Sequence, residues 1–257
     1  MMNMKKSSQK DKKVKQVLLK IRESSSKEFE WPWLDKKPLS MKNANKFLLA
    51  SSIDFQMDAD KVWRNSSKLT EEIFGDPERL WDYILQTYPT KEKWKSFLND
   101  QKQKGFSIHR FDWVVKKVWD IAKIMKDNYD GDARKIWNNF DSFEKILDNV
   151  KNVFGKNSST ISRMVVLALK DSDHIQIKGT DLKPDLHVQK VLSRIYGEEV
   201  NEREAIEIAR RINPENPGIL DNPLYYLGKE ICKSTNPKCS VCFLKEVCEK
   251  ANQTKNF

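Results

Sequence analysis

The chain has 257 residues, 33% of them charged, and a formal net charge of +10. Eight Trp and twelve Phe supply large apolar side chains for a core and exclude an intrinsically disordered chain. Eight Gly are few for an all-β fold with many turns. No apolar run is long enough for a transmembrane helix or a signal peptide. These features predict an intracellular protein with no membrane partner, cytoplasmic or nucleoid-associated, or nuclear in a eukaryote.

The N-terminal segment is strongly basic. Residues 1–22 hold eight Lys or Arg and one acid, Asp11. This composition predicts a flexible basic tail at residues 1–16 that follows the phosphates of a nucleic acid. A solvated tail that only aids solubility is an equal alternative. Residues 17–40 then form an entry segment that ends in the aromatic stretch at 31–34.

From residue 41 to residue 170 the apolar pattern is helical almost throughout. Asp76 followed by Pro77 predicts a helix start. Asp141, with Glu144 three residues later, resembles a capping box. The aromatic residues on these helical stripes are expected to be core. The pattern predicts an all-α fold.

The pattern changes after residue 170. Alternation at 172–180 predicts a short hairpin, and the next helix is expected to begin at Pro184-Asp185. Further helices are expected at residues 201–212 and 223–232. The inner face of the helix after Asp185 is expected to contain Val188, Val191, Leu192 and Ile195.

All four cysteines lie near the C-terminus, at Cys232, Cys239, Cys242 and Cys248. Because they lie so close together in the sequence, disulfide bonds among them could not stabilise a fold of this size. Four thiolates within 17 residues are typical of a metal site in a reducing compartment. Either one iron–sulfur cluster or one zinc ion fits such a set.

The spacing of six, two and five residues between these cysteines resembles the cluster loop of the endonuclease III family of DNA glycosylases. The resemblance implies a [4Fe–4S] cluster in preference to zinc. It also implies a helix-hairpin-helix (HhH-GPD) architecture with a six-helix domain at 41–170, which includes a hairpin at 153–163. A cluster domain would be built from residues 17–40 and 171–257. Lys233 and Lys238, in the loop between the first two cysteines, are then candidate phosphate contacts.

An Asp-x-His segment is a further point of resemblance. Asp185 and His187 occupy the place of the family's catalytic Asp segment. The resemblance implies that Asp185 is the catalytic carboxylate and that His187 contacts DNA. Cleavage of an N-glycosidic bond builds positive charge on the sugar, which an ionised carboxylate stabilises. From the residues alone, Asp185 is a helix N-cap, and both roles are compatible.

The hairpin of the family is matched only in part. Gly155, Lys156, Ser158 and Ser159 are the candidate contacts to the DNA backbone, while Asn157 replaces the second glycine of the usual pattern. Asn tolerates positive φ, so the turn is expected to persist. Ser159 stands where bifunctional members carry a Schiff-base lysine, which predicts base removal without efficient strand cleavage.

The resemblance makes Gln56, at the end of an early helix, a candidate contact near the flipped nucleotide. The resulting hypothesis is a monomeric DNA glycosylase of base excision repair, acting on double-stranded DNA with a damaged or mismatched base. A bifunctional glycosylase/lyase that uses another lysine, such as Lys156, also fits these features. So do a non-catalytic iron–sulfur DNA-binding protein and a zinc protein of unrelated function.

Overall fold

The computed structural model describes residues 2–25, 31–35, 37–54, 59–106 and 111–253. All regular secondary structure in these ranges is helical, which confirms the all-α prediction. The α-helices of the described residues are α1 (Met2–Ser25), α2 (Met41–Ile53), α3 (Ala59–Ser67), α4 (Leu80–Thr87), α5 (Lys91–Gln103), α6 (Phe111–Tyr129), α7 (Phe143–Phe154), α8 (Ser159–Asp171), α9 (Leu186–Tyr196), α10 (Glu202–Ile212), α11 (Asp221–Tyr226) and α12 (Glu249–Gln253).

Several shorter helical segments join these helices. Lys68–Ile73 and Leu227–Ile231 are π-helical, whereas Ala133–Ile136, Pro217–Leu220 and Cys239–Val241 are 3₁₀ turns. The chain divides into two compact units. We call Glu30–Gln176 the inserted unit, and we call Met1–Phe29 together with Ile177–Phe257 the terminal unit.

In the inserted unit, α2 is the central helix, and its residues 44–53 are all buried. Asn45 is fully buried and is satisfied on both sides of its amide: Nδ2 donates to the Gly131 carbonyl, while Oδ1 accepts from Trp81 and from the Ala133 N–H. These hydrogen bonds offset the cost of burying the amide and fix the positions of its partners. Trp81 is fully buried, as expected from its apolar stripe, whereas Trp119 is half-buried. Trp94 and Trp137 are also almost fully buried.

Two helix starts in the inserted unit differ from the sequence predictions. Helix α4 begins at Leu80 after Arg79, not at Asp76. Asp76 instead has a positive φ of 59° and forms an ion pair with the buried Lys46, and this charge attraction outweighs its use as a cap. The N-cap of α7 is Ser142, whose hydroxyl accepts from the Lys145 N–H, one residue later than the expected Asp141.

The N-terminal segment is a helix, not the expected flexible tail at residues 1–16. Val14, Leu18 and Ile21 recur on one face of α1 and are buried in the core of the terminal unit. Asp11 on the same helix is also buried and accepts hydrogen bonds from Arg211 and Tyr196. The apolar stripe therefore outweighs the high lysine content of the segment.

The hairpin expected at 172–180 does not form. The His174 N–H donates to the Leu169 carbonyl at the end of α8, and the Thr180 N–H donates to the Asn216 side chain. Because these backbone groups bond to a helix end and to an amide side chain, no strand pairing is left for the segment.

The expected helices of the terminal unit are confirmed. Val188, Val191, Leu192 and Ile195 form the buried face of α9. Helix α10 begins with a capping box between Asn201 and Glu204. Across the described ranges, every helix is either too short or too polar to cross a membrane.

Candidate active site and cysteine loop

The segment that leads into Asp185 is held at several points within the terminal unit. Asp181 accepts two hydrogen bonds from Arg210. The Lys183 N–H donates 2.9 Å to Oδ1 of Asp221, a carboxylate only 6% exposed at the start of α11. The Pro184 carbonyl accepts from the Gln189 amide at 2.7 Å. These hydrogen bonds fix the irregular segment 181–184 within the unit. The following residue, Asp185, is therefore held in place as firmly as a residue of a helix.

Asp185 is the N-cap of α9, as the sequence predicts. Its Oδ1 accepts the N–H groups of His187 and Val188, both at 2.9 Å. Its Oδ2 lies 3.1 Å from Nζ of Lys183, and its side chain remains 19% exposed. Each oxygen therefore has a partner, and the N-terminal end of the helix dipole points at the carboxyl group. The site holds a carboxylate at a fixed position.

His187 follows on the first turn of α9. Its ring meets the edge of the Tyr225 ring with a centroid separation of 5.3 Å, and its Nδ1 is buried without a hydrogen-bond partner. Gly228 allows this packing, because a Cβ at that position would lie 2.7 Å from Cβ of His187. The contact of His187 with DNA remains a prediction.

The last turn of α9 reaches the cysteine loop through Arg194. Its Nη1 donates to Sγ of Cys232 at 3.2 Å, to the carbonyl of the same residue at 3.1 Å and to the Lys233 carbonyl at 2.7 Å. Its Nη2 donates to the Ser234 carbonyl at 3.0 Å. A planar guanidinium is suited to several acceptors at once.

The four cysteines are free thiols: Cys248 is buried, and the other three are half-buried. Burial raises the pKa of Cys242 and Cys248, and the neighbouring cysteines of the loop raise it further. The thiol groups of Cys242 and Cys248 are thus close enough to the other cysteines for their charges to interact. In the described ranges, no group of three or more His, Cys, Asp or Glu side chains is placed to hold a metal ion.

The chemistry of this donor set fits the implied cluster. An iron–sulfur cluster needs four thiolates and gains from hydrogen bonds to their sulfurs. The loop has four free thiols, one of which already accepts a hydrogen bond from a guanidinium. The residues that would hold the cluster are Cys232, Cys239, Cys242 and Cys248.

Lys233 and Lys238 both lie on the loop between the first two cysteines, and both are exposed. The Lys238 N–H closes this loop by donating to the Ile231 carbonyl at 3.0 Å. Lys238 also lines a groove of about 600 Å³ together with Tyr225 and Lys229. Two cations beside an aromatic ring suit a phosphate-bearing ligand, and the roles of both loop lysines remain predictions.

The hairpin of the inserted unit is a short turn between α7 and α8. Gly155 ends α7 with φ +94° and ψ 154°, a conformation that favours glycine. Asn157 is not among the residues with positive φ, so it does not substitute for glycine in the expected way. Ser158 closes the turn instead, because its N–H and its hydroxyl both donate to the Gly155 carbonyl. Gly155 and Lys156 are exposed.

Ser159 begins α8, and its hydroxyl accepts a 2.7 Å hydrogen bond from Arg163, a residue only 9% exposed. The guanidinium of Arg163 also lies over the Phe143 ring at 6.0 Å. The position where bifunctional members of the family are expected to carry a lysine therefore has a hydroxyl beside a buried cation. Gln56 lies outside the described residues.

Three residues of the site were not found from the sequence. Lys183 could have been noticed, because side chains two residues apart in an extended segment lie on one face. Asp221 and Arg194 gave no local signal, since each contacts a residue 38 positions or more away in the chain.

The comparisons with known proteins agree with this geometry. No protein-family model matches the chain. Endonuclease III of Thermotoga maritima is 25% identical over 215 residues, which cover 82% of this chain and 86% of that protein.

Solved structures share the fold across nearly the whole chain. A non-covalent endonuclease III–DNA complex matches with a TM-score of 0.64 at 14% identity, covering 96% of this chain and 99% of that chain. A trapped endonuclease III–DNA covalent intermediate (14% identity) and a thermostable thymine-DNA glycosylase (15% identity) each match with a TM-score of 0.63. Each covers 95% of this chain and 98% of the other.

The fold is therefore the one that these endonuclease III and thymine-DNA glycosylase structures share. In sequence the chain is similar to endonuclease III over most of its length, in agreement with the resemblance seen in its cysteine spacing and Asp-x-His segment.

Proposed function

We propose that this protein is a DNA glycosylase of base excision repair and that Asp185 is its essential carboxylate. The observation that carries the proposal is the fixed, partly exposed carboxylate at the start of α9. Its position in an Asp-x-His segment matches the family's catalytic position. The similarity to endonuclease III and to a thymine-DNA glycosylase supports the same reaction class.

The chemistry follows from the placement of the charge. A target base is first turned out of the duplex, so that its glycosidic bond can be reached. As the base leaves, positive charge develops on the sugar, and the ionised Asp185 stabilises it. The same carboxylate can orient the water that attacks C1′. The substrate is double-stranded DNA with a damaged or mismatched base, bound by a monomer.

Base removal by hydrolysis leaves an abasic site. Ser159 offers no amine for a Schiff base, so the start of α8 cannot cleave the strand by β-elimination. We assign the exposed turn residues Gly155 and Lys156, with Ser158 and Ser159, to the DNA backbone. Lys233 and Lys238 of the cysteine loop belong to the same class of phosphate contacts. We assign His187 and Gln56 to contacts near the flipped nucleotide.

A [4Fe–4S] cluster on the four cysteines completes the proposal. When bound, the cluster gives the C-terminal loop a rigid framework. Arg194 would hold Cys232 as one of its ligands, and the loop in turn carries Lys233 and Lys238. Iron and sulfide analysis of the purified protein tests this assignment. Stoichiometric zinc without sulfide would contradict it.

The decisive test is a cleavage assay on a panel of damaged and mismatched duplexes, with wild type and Asp185→Asn. Alkali converts every abasic site into a strand break, so breaks counted after alkali report total base excision. We expect excision on at least one lesion and a loss of about 100-fold or more in the variant. Exposed Asp148→Asn, on α7, serves as the matched control.

Each contrary outcome has a distinct meaning. Full excision by Asp185→Asn would show that base excision does not need this carboxylate. Binding to every duplex with no excision on any lesion would instead favour a non-catalytic DNA-binding protein.

A further inference from the structure

One lysine in the terminal unit contacts the proposed catalytic carboxylate directly. Nζ of Lys183 lies 3.1 Å from Oδ2 of Asp185, and the two side chains are only 15% and 19% exposed. The same Nζ lies 4.9 Å from the centroid of the Tyr225 ring. The amine is thus held between a carboxylate and an aromatic face, next to the group assigned to base removal.

This ion pair is not needed for the helix cap. Oδ1 of Asp185 alone accepts both N–H groups of the first turn of α9, which leaves Oδ2 to Lys183. The lysine backbone is also fixed, because its N–H donates to the buried Asp221. An exposed ion pair between mobile side chains contributes little and is easily lost. Here the anchored backbone keeps the amine at the carboxylate.

An amine beside a carboxylate is suited to imine formation, because the amine must lose a proton before it attacks and the carboxylate can accept it. We propose that Lys183 is the nucleophile of a strand-cleaving step that follows base removal and that its proton passes to Asp185. The inference rests on the proposed glycosylase function. It assigns the lyase amine to a position other than the start of α8.

The steps balance without an oxidant or a reductant. The neutral amine adds to C1′ of the open-chain aldehyde of the abasic sugar. The C1′ oxygen leaves as water with one proton from the amine and the proton that Asp185 returns, which gives a protonated imine. The Asp185 carboxylate then takes a proton from C2′, the electron pair forms the C2′–C3′ double bond, and the C3′–O bond breaks with departure of the 3′ phosphate. Hydrolysis of the imine returns Lys183.

Two other lysines are rivals for this role. Burial lowers the pKa of Lys190, which favours a neutral amine, but its Nζ donates to the Gly228 carbonyl at 2.9 Å. Lys156 is exposed on the hairpin turn. Among these three lysines, Lys183 alone contacts the proposed catalytic carboxylate. We therefore assign the role of the nucleophile to Lys183.

The test uses the full-length, cluster-loaded protein and a duplex with a preformed abasic site, which makes it independent of base excision. Borohydride reduces a protein–DNA imine to a stable amine, so the adduct measures imine formation. The variants are Lys183→Arg, which keeps the cation beside Asp185, and the matched control Lys190→Arg. A positioned amine has an effective molarity of roughly 10⁵ M or more. We therefore expect the adduct yield of Lys183→Arg to be at least about 100-fold lower than that of wild type, with no comparable decrease in Lys190→Arg.

Peptide mapping of the wild-type adduct provides a second, independent readout. Attachment of the sugar to Lys183 supports the proposal even if Lys183→Arg binds DNA poorly. Attachment to Lys156, Lys190 or the N-terminal amine overturns it, as does full adduct formation by Lys183→Arg. A wild type that excises bases but forms no adduct would also overturn it, while the glycosylase assignment would stand.

Discussion

The segment before α9 and the turn before α8 both present residues assigned to DNA chemistry, but they are held in different ways. Lys183 is fixed by the side chain of Asp221, which lies 38 residues further along the chain. The turn at 155–158 is closed by bonds between Gly155 and Ser158, three residues apart. Residues assigned to bond cleavage are thus anchored by distant parts of the fold, whereas residues assigned to the phosphate backbone depend on a local, exposed turn.

The largest effect is expected from breaking the distant anchor at the cysteine loop. Arg194→Met removes the donor to Cys232 Sγ and to three carbonyl groups. Because acceptors are then left without their charged partner, we expect a loss of about 2–4 kcal/mol in unfolding free energy and reduced iron content. Urea unfolding and iron analysis measure both. The control Arg203→Met, at an exposed position on α10, should change stability by less than about 0.5 kcal/mol.

A second change tests the anchor of the segment before α9. Asp221→Ala removes the acceptor of the Lys183 N–H, and we expect a loss of about 1–3 kcal/mol with lower excision activity. Exposed Asp141→Ala, which breaks only an ion pair with Lys145 one helical turn away, is the control. Equal activity of the Asp221 variant and wild type would show that the segment holds its position without this anchor.

The local turn is tested at its glycine. Gly155 has φ +94°, and a Cβ there would meet no atom within 4 Å. Gly155→Ala therefore isolates backbone strain, with an expected cost of about 1–3 kcal/mol and weaker DNA binding. Asn157→Ala, which does not stand at a positive φ, should change unfolding free energy by less than about 0.5 kcal/mol. If Gly155→Ala leaves the unfolding free energy and DNA binding unchanged, the turn readily adopts another conformation.

The smallest effect is expected beside the turn, where Lys117 on α6 lies 5.2 Å from the Phe154 ring. Burial lowers the pKa of Lys117 to about 8. The unfolded chain then binds more protons between pH 8 and the ordinary lysine pKa, so stability should rise with pH in that window. At pH 7, Lys117→Met should stabilise the protein by about 1–2 kcal/mol, and this gain should shrink at pH 10. Exposed Lys116→Met should show neither effect in urea unfolding at the two pH values.

Much of the fold followed from short-range patterns. The cap at Asp185, the helix expected at 201–212 and the buried face of α9 each depend on residues within one or two helical turns. Propensity and periodicity describe such contacts well. The cap predicted at Asp76 was wrong, because a lysine on another helix competes for that carboxylate.

The sequence by itself determined that the chain is all-α, where its four cysteines cluster and which carboxylate caps α9. These features depend on residue type and on spacing along the chain. Only the tertiary structure decided that α1 packs into a core, that Asp221 anchors Lys183 and that Arg194 holds the cysteine loop. Such contacts join residues far apart in sequence, and burial with close packing selects them after the local elements have formed.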